Sequence, residues 1–194
     1  AYLKSLSSNK RRYLNVAMRE FEAWAGSDWR LEHATDGESL ARGQEILHAL
    51  HNHRWQDGEG ADGAFSRPRF AEFHRRYMTR LLAEGGLDLF WLIVHGQPIA
   101  IYYQIRANGK VYFYQSGRRL DVPGTVRPGI VIAIQAVRQA IEKGLREYDF
   151  LGGLVQYKLQ FTKTTRPLVQ LRIARGGPRE WMCRTIERAI AGTR

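Results

Sequence analysis

The chain has 194 residues, of which 44% are hydrophobic and 11% aromatic, and a formal net charge of +11 at pH 7. Its length suits one domain, and its apolar content excludes an intrinsically disordered chain. The longest apolar runs, at 89–94 and 130–134, are too short to cross a bilayer, so we expect no membrane span. We also expect no secretory leader, and the single cysteine favours a reducing compartment, the cytoplasm.

The positive charge is concentrated in the C-terminal part of the chain. Residues 1–115 include 15 basic and 13 acidic residues, whereas residues 116–194 include 15 basic and six acidic ones. Such a field attracts polyanions. The sequence therefore predicts an anionic ligand or partner, which could be a phosphorylated cofactor, a nucleic acid or an anionic membrane.

Hydrophobic spacing predicts three helices in the first part of the chain. The first covers 8–25, and a short strand at 29–34 follows it. The second helix begins after Asp36, a suitable N-cap, and runs to about His53. The third begins at Pro68, since proline is common at the first position of a helix.

The hydrophobic period then changes from helical to alternating. Three successive antiparallel strands are predicted at 87–94, 99–106 and 111–117. The Asn-Gly pair at 108–109 is a strong hairpin indicator between the second and third of these strands.

The last part of the chain mixes both kinds of element. A loop at 118–130 leads into a helix that ends near Gly144. Strands are predicted at 147–151 and 168–174, and a terminal helix begins at Pro178.

The element order predicts an α+β fold. The connection from the strand at 111–117 through a helix to the strand at 147–151 is typical of a parallel crossover. We therefore expect a mixed, mostly antiparallel sheet with one parallel, splayed strand pair and helices on both faces. A notch where that pair diverges is a suitable place for a ligand.

The loop before the fourth helix is a candidate anion site. It contains Gly117, Gly124 and Gly129 and leads into a helix N-terminus, where unpaired N–H groups attract phosphate oxygens. Arg118, Arg119 and Arg127 add charged donors to the same segment. An ordinary long connector is the alternative, because the spacing fits neither a Walker loop nor a dinucleotide fingerprint.

Histidine and cysteine offer weaker candidates for chemistry. His48, His51 and His53 lie close together on a predicted helix, but they have no cysteine or carboxylate to complete a metal site. We therefore expect packed or solvated histidines and no metal. Cys183 falls in the terminal amphipathic helix, where we expect a packed core thiol rather than a nucleophile.

Asp149 and Lys158 form another candidate pair. Asp149 interrupts an apolar strand, and a buried carboxylate needs a partner. Lys158 follows across the glycines Gly152 and Gly153 and is a candidate for that role. The pair is either a structural ion pair or a site where a lysine stabilises developing negative charge.

An ordered series of short motifs resembles a known family. These motifs are SLSSNKRR at 5–12, HRW at 53–55, Phe70 and Phe73, GQPIA at 96–100, YQSG at 114–117, RPG at 127–129, AIEKGLREYDFLGG at 140–153 and YK at 157–158. The series resembles the acetyltransferase-type domain of the GNAT superfamily that occurs in cellulose- and exopolysaccharide-biosynthesis proteins. Fem-type aminoacyl ligases are more distant relatives.

The resemblance implies acetyl-CoA or another acyl-CoA as co-substrate, and a set of site residues. The implied cofactor-binding residues are Gln115, Ser116, Gly117, Arg127, Pro128, Gly129 and Ile130. The implied catalytic residues are Asp149, Tyr157 and Lys158, and the implied substrate-binding residues are His53, Arg54 and Trp55.

The resemblance also implies a function: N- or O-acyl transfer to a sugar, a cell-envelope precursor or a small metabolite. Related sequences carry an arginine and an acidic residue where this chain has Gly153, Leu154 and Val155. Two alternatives therefore stay open, a Fem-like transferase that uses aminoacyl-tRNA and a GNAT-fold binding module without chemistry. We expect residues 1–194 to form a single GNAT-like domain, the C-terminal part of a longer protein with a second GNAT-like half.

Overall fold

The computed structural model describes residues 2–56, 63–153, 155–169 and 176–191. Within these ranges, the side chains at 53–56, 179 and 187–191 are outside the description. The chain divides into two compact units, residues 1–163 and residues 164–194. Each unit is described separately below.

The first unit contains five of the helices that the structure describes. They are α1 (Tyr2–Ser5), α2 (Ser8–Ala25), α3 (Gly37–Gln56), α4 (Pro68–Ala83) and α5 (Pro128–Glu142). The predicted caps are present: Asp36 Oδ1 accepts a hydrogen bond from the Ser39 N–H at 2.8 Å. Pro68 and Pro128 are the first residues of their helices, where a missing N–H has no cost.

Five strands form one sheet in the first unit. They are β1 (Trp29–His33), β2 (Leu87–Val94), β3 (Gln97–Ala107), β4 (Lys110–Arg118) and β5 (Glu147–Asp149), and they lie side by side in that order. β1 to β4 pair antiparallel, and β4 and β5 pair in parallel. The predicted α+β fold with one parallel pair is therefore confirmed.

β4 and β5 separate soon after they meet. Their pairing covers only three positions and ends at Tyr112 opposite Asp149, whereas β4 continues to Arg118. The predicted strand at 147–151 is thus two residues too long. Leu151 adopts a left-handed φ of 54°, which turns the chain away from the sheet. The expected notch between the diverging strands is present.

A bulge lies in β4 beside this notch. Tyr103 of β3 is opposite Gln115, whereas the next residue, Gln104, is opposite Phe113. Tyr114 is therefore the extra residue on β4. Such bulges bend a strand and increase its twist, which helps β4 to part from its neighbour.

Helices cover both faces of the sheet. On one face, α2 and α5 pack with sheet residues such as Phe90 and Tyr102 around a buried cluster. On the other, α3 and α4 pack with Leu89, Trp91 and Tyr103. Because Tyr102, Tyr103 and Trp91 are almost fully buried, they are core residues rather than a stacking surface for nucleic acid.

The second unit contains α6 (Pro178–Ala191), the predicted terminal helix. The strand predicted at 168–174 lies mostly outside the described residues, and its first two residues, Leu168 and Val169, are exposed and not in a strand. The expectation of a packed thiol was wrong, because Cys183 is exposed on α6. Within the described residues, no helix is long and apolar enough to cross a membrane.

Candidate active site

A cavity of about 400 Å³ lies in the first unit where β4, the loop after it and the start of α5 meet. The predicted site residues in its wall are Ser116, Gly117, Arg127, Gly129, Ile130 and Tyr157. The remaining wall residues are Tyr13, Tyr102, Arg118, Gly124, Val126 and Val155. The loop and helix start that the sequence indicates as an anion site therefore do enclose a cavity.

The N-terminus of α5 forms one wall. Helix N-termini carry a partial positive charge. Because the Ile130 and Val131 N–H groups donate to the Arg127 carbonyl oxygen and Pro128 has no N–H, the Gly129 N–H is the donor that this first turn offers. Pro128 is buried as the first helical residue and lies outside the wall, which Gly129 and Ile130 form instead. The hydroxyl of Tyr102 donates to the carbonyl oxygen of Gly129 at 3.3 Å and ties the helix start to β3.

Two of the three predicted arginines flank this helix start, whereas Arg119 lies outside the described cavity wall and forms an ion pair with Asp121. A Cβ on Gly129 would lie 3.3 Å from Cδ of Arg118, so the Arg118 side chain crosses directly over the first turn. Arg127 precedes the helix, and its guanidinium lies 5.0 Å from the ring centroid of Tyr13. The cavity is therefore positively charged at the end where the helix dipole is also positive.

α2 holds Arg127 in place. Besides the contact with the Tyr13 ring, Nη2 of Arg127 lies 3.5 Å from Oε2 of Glu20. Tyr13 and Glu20 are seven residues apart on α2, which places them on one helix face, two turns apart. Arg127 is thus oriented by a stacking and an ionic contact from the same helix.

Position 117 needs a glycine because α3 packs closely against it, and not only because it lines the cavity. A Cβ built on Gly117 would lie 2.6 Å from the backbone carbon of Leu50 and from the backbone nitrogen of His51. The His51 ring nitrogen Nδ1 lies 3.1 Å from the carbonyl oxygen of Ser116, a hydrogen bond that links α3 to β4. α3 therefore presses against the part of β4 that lies beyond its pairing with β5, and fixes it at the cavity.

Gln115 lies beside the bulge, opposite Tyr103, and is outside the cavity wall among the described residues. Its side chain is half-buried. The strand that carries it continues into Ser116 and Gly117, which do reach the cavity.

Asp149 and Lys158 hold the turn after β5. Oδ1 of Asp149 accepts from the Leu151 N–H at 2.8 Å. Nζ of Lys158 donates to the carbonyl oxygens of Phe150 and Gly152 at 2.8 and 2.6 Å. Both side chains lie outside the described cavity wall, and these contacts shape the backbone at the mouth of the notch.

Tyr157 enters the cavity wall close to Tyr148, a partly buried tyrosine of β5. Burial raises the pKa of Tyr148 well above its usual value, and the nearby Tyr157 raises it further. The Tyr148 hydroxyl accepts a hydrogen bond from the Gln104 side chain. Tyr148 is therefore neutral over the physiological pH range and packs the strand behind Tyr157.

The backbone of His53, Arg54 and Trp55 belongs to α3, but their side chains lie outside the described residues. His48 instead contacts the carbonyl oxygen of Phe65 at 3.2 Å. Among the residues that the structure describes, no group of three or more metal-binding side chains comes together.

Sequence reasoning missed the contribution of α2 and β3 to this cavity. Tyr13 belongs to the apolar face of α2, and Tyr102 is one of several aromatic residues in β3. Neither residue is near the loop in sequence. Their place in the wall depends on how the helix and the sheet pack together, and no local pattern encodes that.

A family model for the acetyltransferase (GNAT) domain matches residues 8–159 of the chain. This match covers the sheet, the cavity and the helices α2 to α5. The chain therefore belongs to the GNAT acetyltransferase domain family. No curated protein sequence matches the chain significantly.

Several solved structures are similar in fold. FemX is 13% identical, with a TM-score of 0.56, and the match covers 78% of this chain and 50% of FemX. A predicted acetyltransferase from Clostridium acetobutylicum, solved with acetyl-CoA, is 15% identical with a TM-score of 0.50, covering 74% of this chain and 96% of that one. An aminoglycoside N-acetyltransferase in complex with CoA is 16% identical with a TM-score of 0.50, covering 76% and 96%. At these identities the likeness is one of fold.

Proposed function

We propose that the chain is an acyl-CoA-dependent N- or O-acyltransferase whose co-substrate binds in the cavity between β4 and the start of α5. The observation that carries this proposal is the convergence of a helix N-terminus and two arginines on one cavity, beside a strand edge that β5 leaves uncovered. Fold relatives crystallised with acetyl-CoA or CoA support the choice of ligand.

The residues of the cavity fit a diphosphate. The Gly129 N–H at the start of α5 and the guanidinium groups of Arg118 and Arg127 supply donors and positive charge, which is the chemistry that phosphate oxygens require. Gly129 keeps the helix start free of a side chain. Ser116 and Gly117 then lead along β4 towards the notch, where an extended pantetheine arm can pair with the strand edge.

The reaction follows from this arrangement. An amine or hydroxyl of the acceptor attacks the thioester carbonyl carbon, the new C–N or C–O bond forms, and the C–S bond breaks. Backbone N–H groups of β4 near the bulge are suitable donors to the developing oxyanion. The acceptor's proton passes to a water or to the leaving thiolate, because Asp149 and Lys158 are engaged with the backbone of the turn.

The motif series that resembles cellulose- and exopolysaccharide-biosynthesis proteins favours a sugar or a cell-envelope precursor. We further propose that the chain acts in the cytoplasm, as the C-terminal GNAT-like half of a longer protein. His53, Arg54 and Trp55, at the end of α3, remain the proposed acceptor-binding residues.

The test is a comparison of two matched arginine variants. Arg127→Ala removes a cation at the start of α5, whereas Arg67→Ala removes the residue at the same position before α4, another helix that begins with proline. Calorimetry with CoA should show binding weakened about tenfold or more for Arg127→Ala, because a hydrogen bond to a charged group is worth roughly 1.5–3 kcal/mol. Arg67→Ala should bind CoA like the unaltered chain.

The outcomes separate the proposal from its alternatives. Failure of the unaltered chain to bind CoA or acetyl-CoA at high micromolar concentration would sink the proposal. Equal weakening by both variants would mean that only general positive charge matters. Binding of CoA without consumption of acetyl-CoA, across a panel of amines, sugars and hydroxylated precursors, would favour the non-catalytic binding module.

A second candidate is transfer from aminoacyl-tRNA, as in Fem-type ligases. The observation that favours it is the excess of 15 basic over six acidic residues in 116–194. Binding to tRNA would then weaken steeply with salt concentration, because each neutralised phosphate releases counterions. Absence of salt-dependent tRNA binding would remove this candidate.

A further inference from the structure

A second cavity, of about 500 Å³, lies at the other end of α5. Its wall includes His33 from β1, Asp88 from β2, Arg106 from β3, and Gln135, Gln139 and Lys143 from α5 and the residue after it. Gln135 and Gln139 lie six and ten residues after Gly129, roughly 9 and 15 Å along the helix at 1.5 Å per residue. This cavity is therefore separate from the candidate active site.

Three polar side chains of this cavity wall have buried groups without a hydrogen-bond partner among the described residues. They are Nε2 of Gln135, both polar atoms of the Gln139 side chain, and Nε of Arg106. Gln135 is only 7% exposed. Unsatisfied buried polar groups are rare in folded proteins, so three in the wall of one cavity indicate a place for a polar ligand.

The two glutamines can act together. They are four residues apart on α5, so their side chains lie on one face of the helix, a turn apart. A glutamine side chain has two further torsions beyond its first, and a change in these turns the amide into the adjacent cavity without moving the helix. The side-chain amide nitrogens of Gln135 and Gln139 and the Nε–H of Arg106 thus offer three donor groups to a ligand, and Oε1 of Gln139 offers one acceptor.

The charges of the wall define the ligand further. Lys143 and Asp88 neutralise each other through a contact of 3.0 Å between Nζ and Oδ1. Burial lowers the pKa of His33, so its ring is uncharged at neutral pH. Nη2 of Arg106 donates to the carbonyl oxygen of Leu87 at 3.3 Å. With Arg138 and Glu142 also in the wall, three basic and two acidic side chains leave one net positive charge, which together with the amide donors suits a singly charged anion.

We propose that this second cavity binds a small organic monocarboxylate, whose oxygen atoms accept hydrogen bonds from the side chains of Gln135, Gln139 and Arg106. Doubly charged anions such as phosphate fit less well, because the carboxylates of Asp88 and Glu142 reduce the net charge of the wall to a single positive one. The volume is far more than one water molecule needs, so the space accommodates an organic ligand of several atoms.

The experiment follows the glutamine side-chain amides by NMR. Uniformly ¹⁵N-labelled protein, with CoA present so that any carboxylate site in the first cavity is blocked, is titrated with sodium butyrate. Butyramide is the uncharged control of the same shape, and inorganic phosphate is the control for general anion binding. Butyrate should shift the side-chain amide signals of Gln135 and Gln139 saturably, and neither control should do so.

Three variants show whether the shift comes from this cavity. Gln135→Leu should weaken butyrate binding about tenfold, since it removes a donor to a charged group. Its fold should be retained, because the Gln135 amide nitrogen has no protein partner to lose. Gln97→Leu, at an exposed position that begins β3, and Arg127→Ala should leave butyrate binding unchanged.

Three results would contradict the proposed carboxylate site. The proposal is overturned if butyrate produces no saturable shift, which would leave a cavity that water alone fills. It is also overturned if butyramide or phosphate binds as well as butyrate, or if Gln135→Leu binds butyrate like the unaltered chain. Because none of these readouts measures acyl transfer, they stand whether or not the proposed function holds.

Discussion

Gly117 lies beside the cavity, but it is the close packing of α3 against β4 that requires a glycine at this position. Its sequence context, YQSG followed by arginines, indicates a place where a ligand approaches the backbone. The closest contacts of a Cβ at this position would instead be the backbone of Leu50 and His51 in α3, at 2.6 Å. The glycine therefore permits the packing of helix on strand that forms the cavity.

Replacing Gly117 by alanine should destabilise the first unit. Backbone atoms at 2.6 Å cannot move aside as a flexible side chain can, so α3 or β4 must shift, at a cost of about 1–3 kcal/mol. The free energy of unfolding, from urea titration, measures this cost. Gly124→Ala is the matched control in the same cavity wall, because a Cβ there meets nothing within 4 Å, and its stability should be unchanged. Equal stability of both variants would mean that α3 does not press against β4.

The family resemblance and the structure indicate different roles for Lys158. The family resemblance implies a catalytic lysine, whereas the structure directs its amine at two backbone carbonyl groups of the turn after β5. Gly153, with φ of 90°, and Leu151, with φ of 54°, hold the left-handed conformations that this turn requires. The hydrogen bonds from the Lys158 amine thus stabilise a turn in which Leu151 has a left-handed conformation that residues other than glycine rarely adopt.

Lys158→Met should lower the free energy of unfolding by about 1–3 kcal/mol, because two hydrogen bonds from a charged donor are lost while the apolar stem remains. Acyl transfer should fall in parallel, since the turn borders the notch. Urea titration and a transfer assay on the same preparation give both quantities. A large loss of transfer at unchanged stability would instead establish Lys158 as a catalytic residue.

Among the elements, α2 has a role that no pattern in its own sequence predicts. It packs on the face of the sheet that carries α5, and it reaches across to Arg127 through Tyr13 and Glu20. A long, flexible arginine loses conformational freedom when it binds a phosphate. A helix that already orients the guanidinium reduces that loss.

Tyr13→Leu should therefore weaken CoA binding about two- to fivefold, which corresponds to roughly 0.5–1 kcal/mol for a cation over an aromatic ring that is still partly exposed. Tyr13→Phe keeps the ring and should bind like the unaltered chain. Calorimetry of the three proteins at one salt concentration measures the effect. Weakening by Tyr13→Phe to the same degree would assign the effect to the hydroxyl and contradict a stacking role.

Local chemistry explains which elements could be predicted. Asp36 as a cap, Pro68 and Pro128 as first helical residues and the Asn-Gly hairpin each act within a few residues, and the structure contains all of them. The end of β5 could not be placed, because it depends on a left-handed Leu151 that no residue preference indicates. The loop that the sequence indicates as an anion site does line the cavity, but the contributions of Tyr13 and Tyr102 arise from contacts between distant elements.

On the scale of the whole molecule, the first unit contains both buried clusters. Every member of the two clusters lies before residue 164, and the family match ends at residue 159. The second unit, residues 164–194, includes seven basic and two acidic residues. The basic excess of the chain is therefore shared between a folded core and a segment beyond the family domain.

A chain shortened to residues 1–163 should consequently fold and bind CoA without the second unit. Because no buried cluster is interrupted, we expect a cooperative thermal transition with a Tm within about 4 °C of that of the full chain. CoA binding should also be kept, since every residue of the candidate cavity is retained. Calorimetric unfolding and CoA titration of both chains make the comparison.

If the shortened chain lost its cooperative transition, the second unit would be part of the fold. If it kept the transition but lost CoA, residues 164–194 would supply part of the binding site. If only a salt-dependent affinity for tRNA disappeared, the basic segment would be the nucleic-acid contact, and the aminoacyl-tRNA candidate would gain support.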